Sequence, residues 1–578
     1  MAGESLIIGN GNWGVKSGNL LGYNLNGGNY VPRELTFTRA TTGTRTNGAL
    51  LVEEVPYNLL QYSEQFDIIN WGKTGVFITS NAITSPNNTL TADLYTSTVA
   101  GSFIVQTIDF LAQAYTFSIY VKKYITAAVS FSIQYHLSGS NNTDFSFNFD
   151  TGIPIGCTAQ DAGNGWWRLT ATTTLTTARN QVRLFSDNAF YIWGAQVVAG
   201  SSPLTYLPTT TRSNIPRIDY STGTAALLME PQRTNACPAS NNIATYNYTS
   251  GVTVAANAGV SPDGLNNAIS VIPTTDNNVH YCNGSSSLSA PFATNTVITM
   301  SLFIKANGYN YATVGGYFGS GPTLSESSVF NLQTGTVVSN GVNVISSSIT
   351  PVSNGWYRCV TTYTFKNTIT NGFLYGGTSV FNSPTGQTFA GNGTSGILIY
   401  GMQIEAATYA TSYIPTTSAS VTRSIDTLIQ SGISNFIGQA EGTIYIDVTM
   451  NSTLNTDLIL IGNSTGVLYD IYIYTGSNKI TAAVINSSAY LWTSTMPADF
   501  VVGVSYRCAI AYKSGSLAFY INGVQIGTSS ATFTPSTIMN RFQLNEQLYA
   551  GKQSVIVRSA KLFTSRLSND ELVTLTTK

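Results

Sequence analysis

The sequence predicts an all-β protein, made of tandem antiparallel β-sandwich domains in an elongated chain. Its 33 Tyr and 26 Phe occur beside many Thr, Val and Ile, the residue types that favour strands. Residues 145–149 read FSFNF, which places three phenylalanines on one face of a strand. A segment of roughly two hundred residues also occurs twice, the signature of a tandem domain rather than a solenoid. Helical periodicity is scarce.

The first piece of the chain, residues 1–60, precedes the repeated segments. It opens with MAGESLIIGN, and Glu4 stands where a secretory signal would carry basic residues. We therefore expect no secretory signal here.

Two related modules, residues 61–211 and 241–423, are predicted on either side of a connector over residues 212–240. Residues 118–122 (SIYVK) match residues 301–305 (SLFIK), and further motifs match in the same order. The spacing between equivalent positions grows from 177 residues, at the motif that precedes each module (residues 49–58 and 226–235), to 207 residues at the end of the modules. Longer loops in the second copy explain this growth, because closing a longer loop costs little additional entropy.

The last segment, residues 424–578, does not repeat the modules and is predicted to be a distinct β domain. Asn522 and Gly523 supply the two positive-φ residues of a type I′ hairpin turn. Ser568 and Glu571 have the spacing of a capping box, which predicts one short helix near the end.

Charge and cysteine content exclude several classes of function. Charged residues make up 9% of the chain, 26 Lys+Arg against 27 Asp+Glu, where an ordinary domain carries about 25%. We expect no nucleic-acid partner, because no basic patch is large enough. No apolar run reaches about 18 residues, so we expect no membrane-spanning segment. The five cysteines include no CxxC pair, which predicts no disulfide framework, no zinc site and folding in a reducing cytoplasm.

Several motifs resemble virion fibre proteins of tailed bacteriophages, both tail fibres and head fibres or spikes. Residues 37–40 (FTRA), 50–54 (LLVEE) and 58–64 (NLLQYSE) are similar to a connector common in these proteins, which recurs at residues 217–220 and 230–235. In that family the connector precedes jelly-roll modules similar to carbohydrate-binding modules. The repeated SIYVK, GWWR and YLPT elements are also similar to the family's motifs. One departure is Val198 in the first module, where the second has Glu405.

The C-terminal segment resembles the concanavalin A/laminin-G-like lectin superfamily. Residues 506–512 and 517–524 are similar to its central hairpin, and residues 555–572 to its closing strand and short helix. These resemblances cover most of the chain from about residue 37. They imply three β-sandwich units, a fold that hosts many functions.

The predicted carbohydrate-binding residues lie in the C-terminal segment. Ile471 and Ile473 share one face of a strand, which leaves an acidic residue and two tyrosines on the other face, where they could form a lectin groove. Two further aromatic residues are predicted to form a same-face pair nearby. The alternative for this face is burial against another subunit, or simple solvation. The residues predicted to contact sugar are Asp470, Tyr472, Tyr474, Tyr490 and Trp492.

Other aromatic residues could stack on sugars but are predicted to pack in the core. Both modules repeat them at the same place, which favours a packing role. Neighbouring residues of a strand point to opposite faces, so only one of each adjacent pair can face the core. We apply this to Trp166, Trp167, Trp356, Tyr357, Trp193 and Tyr400. Arg168 and Arg358 are predicted to anchor a buried or partner carboxylate.

The sequence predicts no enzyme, no catalytic residue, no cofactor and no metal site. His136 and His280 occupy different positions in the two modules, so no repeated general base is indicated. Glu53 and Glu54 would point apart in a strand, whereas a glycosidase needs two carboxyl groups facing one cleft. Acidic residues 570–571 fit the start of the helix instead. A depolymerase assembled from distant loops is the remaining enzymatic alternative.

The fibre resemblance implies a structural appendage on the virion surface, made in the host bacterial cytoplasm. Residues 1–60 would attach to capsid or tail proteins, and residues 424–578 would bind host-surface glycans. Fibres of this kind are usually homotrimers. The alternative is a head decoration fibre with a purely structural role.

Overall fold

The computed structural model describes most of the chain. The described residues are 3–13, 15–16, 19–26, 29–55, 57–110, 113–135, 142–204, 206–210, 215–240, 242, 248–287, 293–317, 324–366, 373–463, 469–486, 489–532, 538–546 and 553–578. Their contacts divide the chain into two units. One comprises Met1–Gly14, Leu20–Val55 and Pro216–Lys578, and the other Val15–Asn19 and Pro56–Ile215.

Nearly all regular elements are strands. Those before module 1 are β1 Leu6–Gly9, β2 Val15–Lys16, β3 Asn19–Asn26, β4 Asn29–Leu35, β5 Phe37–Thr38, β6 Thr44–Thr46 and β7 Val52–Glu54. Those of module 1 are β8 Gly72–Thr74, β9 Val76–Ile83, β10 Ala92–Ser97, β11 Phe103–Phe110, β12 Ala114–Lys123, β13 Ala128–Gln134, β14 Asn142–Asn148, β15 Ile153–Ile155, β16 Thr158–Gly163, β17 Trp166–Thr174, β18 Arg179–Phe185 and β19 Ala189–Ala199.

The connector and module 2 continue the same pattern. The connector strands are β20 Arg217–Asp219, β21 Ala226–Met229 and β22 Arg233–Asn235. Module 2 contains β23 Tyr248–Ser250, β24 Val252–Ala255, β25 Ile269–Pro273, β26 Asn277–Ser287, β27 Val297–Asn307, β28 Tyr311–Tyr317, β29 Ser327–Asn331, β30 Thr336–Asn340, β31 Val344–Pro351, β32 Tyr357–Thr364, β33 Phe373–Phe381, β34 Thr388–Ala390 and β35 Gly396–Glu405.

The last part adds further strands and one helix. They are β36 Val421–Arg423, β37 Thr427–Ser431, β38 Glu441–Met450, β39 Thr456–Gly462, β40 Tyr469–Gly476, β41 Lys479–Asn486, β42 Ala489–Thr495, β43 Ser505–Lys513, β44 Leu517–Ile521, β45 Val524–Ser529, β46 Arg541–Glu546, β47 Val555–Phe563 and α1 Asn569–Thr576. Short 3₁₀ turns occur at Leu324–Glu326, Ser353–Gly355 and Ser434–Phe436. No helix of the described residues is long and apolar enough to cross a membrane.

Module 1 is an antiparallel sandwich of two six-stranded sheets. Their orders are β16-β17-β12-β19-β10-β9 and β15-β14-β13-β18-β11-β8. The chain crosses between the sheets from β10 to β11, β11 to β12 and β12 to β13, which is jelly-roll connectivity. Phe145 and Phe147 point into the core between the sheets, as their alternation predicts.

Module 2 repeats this sandwich. The sheet β24-β25-β35-β27-β32-β31 faces the sheet β23-β26-β33-β28-β29-β30. Equivalent side chains make equivalent bonds: Asn58 donates to the carbonyls of Ala195 and Leu207, and Asn235 to those of Met402 and Ile414. The all-β sandwich prediction and the tandem repeat are therefore confirmed.

The C-terminal sandwich is completed by strands from distant parts of the chain. One sheet contains β3-β1-β47-β38-β43-β44-β45 and the other β42-β41-β40-β39-β46-β37-β5, while β21 of the connector pairs with β47. This differs from the predicted division into separate pieces at residues 60 and 424. The physical reason is burial, because Leu6, Ile8 and Phe37 lie in the same core as the C-terminal strands. The attachment role of residues 1–60 stays a prediction.

Two local features of this sandwich match the sequence. Asn522 and Gly523 have φ of 50° and 81° between β44 and β45. The Ser568 hydroxyl accepts from the Glu571 amide at 3.3 Å, and the Glu571 carboxylate accepts from the Ser568 amide at 2.9 Å. The hairpin turn and the capping box are both confirmed.

The first unit contains a buried ion-pair cluster, formed by Arg39, Arg217, Glu230, Arg423 and Asp426. Arg217 contacts Glu230 at 2.6 Å and also bonds Asp426, while Arg423 lies 2.9 Å from Glu230. Arg39 contacts Asp426 at 2.8 Å. Burial opposes ionisation of Glu230, but Arg423 and Arg217 outweigh it and hold the pKa of Glu230 well below its usual value. The Glu230 carboxylate of this cluster is therefore ionised although it is buried.

Module 1 contains a buried carboxyl group that is held by backbone amides, Asp93. It accepts from the amides of Phe66 and Asn81, both at 2.9 Å. Burial outweighs these bonds and raises the pKa of Asp93 to about 6. The folded state therefore binds a proton more tightly than the unfolded state, so stability increases as pH falls from above 6 toward 4.

We expect calorimetry to show a module 1 transition that moves to higher temperature when the pH is lowered from 7 to 5. Asp93→Asn removes the titrating group and should abolish that shift. An identical shift in the variant and the wild type would refute the assignment to Asp93.

Candidate functional site

The predicted tyrosines lie on the outer face of the second sheet of the C-terminal sandwich. Ile471 and Ile473 point into the main core, whereas Tyr472 and Tyr474 lie on the opposite face, as the alternation predicts. The rings of the two tyrosines are 5.3 Å apart. The Tyr472 hydroxyl donates to the hydroxyl of Tyr490 at 2.9 Å. We call Tyr472, Tyr474 and Tyr490 the tyrosine cluster.

Accessibility differs strongly within the tyrosine cluster. Tyr472 is 6% exposed and Tyr490 is 62% exposed. Burial, and then the hydrogen bond to Tyr490, raise the pKa of Tyr472, so its hydroxyl keeps its proton. Tyr490 is thus the member of the cluster that a ligand can reach most directly. Sugar contact by this cluster stays a prediction.

The same-face pairing predicted for Tyr490 and Trp492 is wrong. A bulge interrupts the pairing of β41 with β42, since Val484 pairs with Trp492 and Ile485 with Tyr490. The extra residue reverses the alternation. Trp492 consequently packs against the main core, while Tyr490 reaches the outer face. The side chain of Asp470 lies outside the described part of the structure.

The aromatic residues predicted to be structural are buried in both modules. Trp166 and Trp356 are 1% and 0% exposed, and their indole N–H groups donate to the carbonyls of Thr84 and Val260 at 3.1 Å. Trp167 and Tyr357 are half-buried and pack against the cores, while Trp193 and Tyr400 are 4% exposed. Of each adjacent pair, only Trp167 and Tyr357 pack against the main cores. The other four residues are buried in separate small clusters.

The arginines and the remaining histidine serve the fold. Arg168 donates to the Ser118 hydroxyl and the Leu204 carbonyl, and Arg358 makes the equivalent bonds to Ser301 and Thr411. The buried Glu405 carboxylate also interacts electrostatically with Arg358, and anchoring of a partner carboxylate stays a prediction. Buried His280 has ring nitrogens 2.5 and 2.7 Å from the carbonyl oxygens of Gly251 and Phe389. His136 lies outside the described residues.

A second candidate surface, a trough of about 490 Å³, lies on the outer face of the β13-containing sheet of module 1. Its volume is within the range of small-ligand sites, roughly 300 to 1,000 Å³. Small hydroxyl side chains form its floor, an aromatic ring and an isoleucine stand at its sides, and polar groups occupy its ends. The lining residues are Gly101, Ser130, Phe131, Ser132, Gln134, Asp144, Phe145, Ser146, Ile155, Phe185, Ser186, Asp187 and Asn188.

Strand register explains the shape of this trough. Ser132 pairs with Phe185 on one side and with Asp144 on the other, so these three side chains form one row across the sheet. Ser130 pairs with Ser146, which pairs with Ile155 at the edge. From β18 to β15 the trough spans three strand spacings, about 14 Å. Short serines between larger side chains produce the depression.

The aromatic wall of the trough is supported from behind. The Phe185 ring lies 4.7 Å from the ring of Phe103 on the neighbouring strand. The Arg183 guanidinium in turn lies over Phe103, 4.7 Å from its ring centroid. Phe185 is therefore held in place while one side of it faces the trough. A half-exposed aromatic ring beside hydroxyl and amide groups suits a ligand with both apolar and hydroxyl-bearing faces.

The equivalent surface of module 2 has neither the aromatic wall nor the acidic residue of the trough. Gly315 pairs with Ser327 and Gly377 where module 1 pairs Ser132 with Asp144 and Phe185. The position of Phe103 is taken by Asn283, which pairs with Gly377. These module 2 residues are all buried. A Cβ atom at Gly377 would lie 2.5 Å from the Asn283 side-chain oxygen, so no larger residue fits there.

Sequence reasoning did not find the trough, although one signal was present. The stretches 130–134 and 144–146 alternate apolar residues with Ser, Gln and Asp, which marks a polar outer face. Nothing local indicates that Phe185 pairs with Ser132, because that register joins strands distant in sequence. Within the described residues, no three His, Cys, Asp or Glu side chains are grouped so that they could hold a metal ion.

Comparisons with known proteins give structural likeness only. No family model matches the chain, and no curated protein matches it. Among solved structures, the chain is similar to the receptor-binding domain of botulinum neurotoxin mosaic serotype C/D (TM-score 0.23, 12% identity) and to the serotype D binding domain (TM-score 0.22, 13% identity). Each match covers 26% of this chain and 39% or 40% of the neighbour, so the chain spans well under half of the neighbours' length.

Proposed function

We propose that the chain is a subunit of a homotrimeric fibre or spike on the surface of a tailed bacteriophage, and that it adheres to host-surface glycans. The trough of module 1 is the observation that carries glycan binding. The placement on a virion is supported by the connector and module motifs that resemble phage fibre proteins. Adhesion by binding, without catalysis, is part of this proposal.

Three properties of the trough support a glycan ligand. Phe185 offers a flat apolar ring, the shape that complements the apolar face of a pyranose. Ser130, Ser132 and Ser146 present hydroxyl groups, which both donate and accept hydrogen bonds. The span of about 14 Å, three strand spacings, is long enough for more than one sugar ring.

Loss of the aromatic wall is the sharpest test of this proposal. The full-length chain should be used, because β1, β5 and β21 complete the C-terminal sandwich and a fragment 424–578 would lack them. We expect wild-type protein to bind members of a bacterial glycan array and Phe185→Ala to bind them at least tenfold more weakly, about 1.4 kcal/mol.

The matched control is Phe77→Ala. Phe77 is 63% exposed on β9 of the other sheet of module 1, outside the trough. Its loss should leave glycan affinity unchanged. Equal effects of the two substitutions, or no glycan bound by wild-type protein, would contradict the proposal.

A further inference from the structure

The charged side chains that line the trough are both carboxylates. Asp144 and Asp187 are exposed, and the described lining residues include no lysine or arginine. Asp187 is held in place, because its carboxylate accepts from the amides of Gly101 and Ser102 at 2.7 and 3.2 Å. Asp144 lies in the same cross-strand row as Phe185. A ligand in the trough therefore contacts the aromatic wall within a negative field.

The guanidinium group of Arg183, on the strand that carries Phe185, lies over Phe103. Arg183 pairs with Gln134, one row along from Phe185. Phe103 is on β11, whereas the floor of the trough is on β13, on the opposite side of β18. The negative charge of Asp144 is therefore not offset by an arginine within the lining.

We propose that the trough selects uncharged oligosaccharides and rejects sugars that carry carboxylate, sulfate or phosphate groups. This inference rests on the proposed function. An anionic sugar would bring a like charge close to Asp144 in a partly dehydrated site, which disfavours that ligand relative to its neutral counterpart. The serine hydroxyls and the Gln134 amide can still bind a neutral sugar, because they can donate hydrogen bonds to its hydroxyl groups and accept hydrogen bonds from them.

The selectivity belongs to one of the two modules. In module 2 the positions of Asp144 and Phe185 are taken by Ser327 and Gly377, which are both buried. Module 2 therefore presents neither the charge nor the ring. Asp144→Ser introduces the residue found at the equivalent position of module 2, which makes it a natural test of the charge alone.

Isothermal titration of the full chain against paired probes tests the inference. The probes are maltohexaose, cellohexaose, mannohexaose and chitohexaose, each with a derivative whose primary alcohols are oxidised to carboxylates. We expect at least one neutral probe to bind and its oxidised derivative to bind tenfold or more weakly in dilute buffer. The ratio should shrink at 0.5 M salt, because salt screens exposed charges.

The charge variants separate the possible outcomes. Asp144→Ser should reduce the ratio of neutral-probe affinity to oxidised-probe affinity at least threefold, even if the affinity for the neutral probe also changes. The control is Asp161→Ser, because Asp161 is exposed and lies outside the trough, and it should leave this ratio unchanged. Equal binding of neutral and oxidised probes, or a ratio insensitive to Asp144→Ser, overturns the selectivity while leaving glycan binding intact. Failure of every probe to bind overturns both the selectivity and the proposed function.

Discussion

Arg217→Met is expected to lower the free energy of unfolding of the first unit by about 3 to 5 kcal/mol, the usual cost of breaking a buried ion pair. Arg217 is fully buried and bonds both Glu230 and Asp426. Methionine fills much of the same volume but leaves two carboxylates short of a partner. Urea denaturation of the full chain, followed by intrinsic fluorescence, measures the loss.

Arg45→Met is the matched control for this change. Arg45 contacts Glu53 at 2.9 Å within the hairpin of β6 and β7, but the two side chains are 21% and 28% exposed. Partly exposed pairs contribute about 0 to 1 kcal/mol, so the midpoint should move little. Equal destabilisation by the two substitutions would contradict the expectation that the buried ion-pair cluster stabilises the fold more than the partly exposed Arg45–Glu53 pair.

Acid should act on the same cluster. Because the folded-state pKa of Glu230 lies below its ordinary value of 4.5, its stabilising contribution is complete above that pH and is lost as pH falls below it. Removing Arg217 weakens the cationic field on Glu230. The folded-state pKa of Glu230 should then be depressed less, so the variant should lose less stability than the wild type as the pH falls below about 4.5.

Trp356→Ala is expected to destabilise module 2 by about 3 to 5 kcal/mol, as for other large-to-small core substitutions. The indole is 0% exposed and packs among Phe303, Tyr400 and Tyr413. Alanine leaves a cavity and also removes the donor to the carbonyl of Val260. Differential scanning calorimetry should show a lower transition temperature.

The control for the tryptophan is Trp167→Ala. Trp167 belongs to the same repeated motif in module 1 but is only half-buried, packing against Phe147 at 4.9 Å. Its loss should cost clearly less than that of Trp356. A similar loss of stability for the two substitutions would show that burial does not determine how much each residue contributes to the stability of its module.

Most strands, turns and caps of this fold can be predicted from short patterns in the sequence. The strand alternation at residues 145–149, the Asn522–Gly523 turn and the Ser568 cap depend on neighbours in sequence, and each is confirmed. The repeat also revealed which residues are structural, since Trp166 and Trp356 recur with the same bonds. Such features can be read without knowing which strands pair.

Pairing between distant strands could not be predicted in this way. The trough exists because Phe185 lies beside Ser132, and the C-terminal sandwich contains β1 and β5 because their apolar residues complete its core. The bulge in β42 changes the face of Trp492 without leaving any mark in the alternation of the sequence. Register is a property of two strands together, so a single strand does not specify it.

The pairing of β1 with β47 also sets the order of events during synthesis. Glu4 and Lys561, which form an ion pair across these strands, are separated by 557 positions. At a translation rate of about 5–20 residues per second, roughly 30–110 s pass between the synthesis of β1 and that of its partner strand β47. Module 1 is finished long before then and can fold first. The C-terminal sandwich therefore becomes complete only after module 1, and Leu6 and Ile8 lack their final partner until β47 has been synthesised.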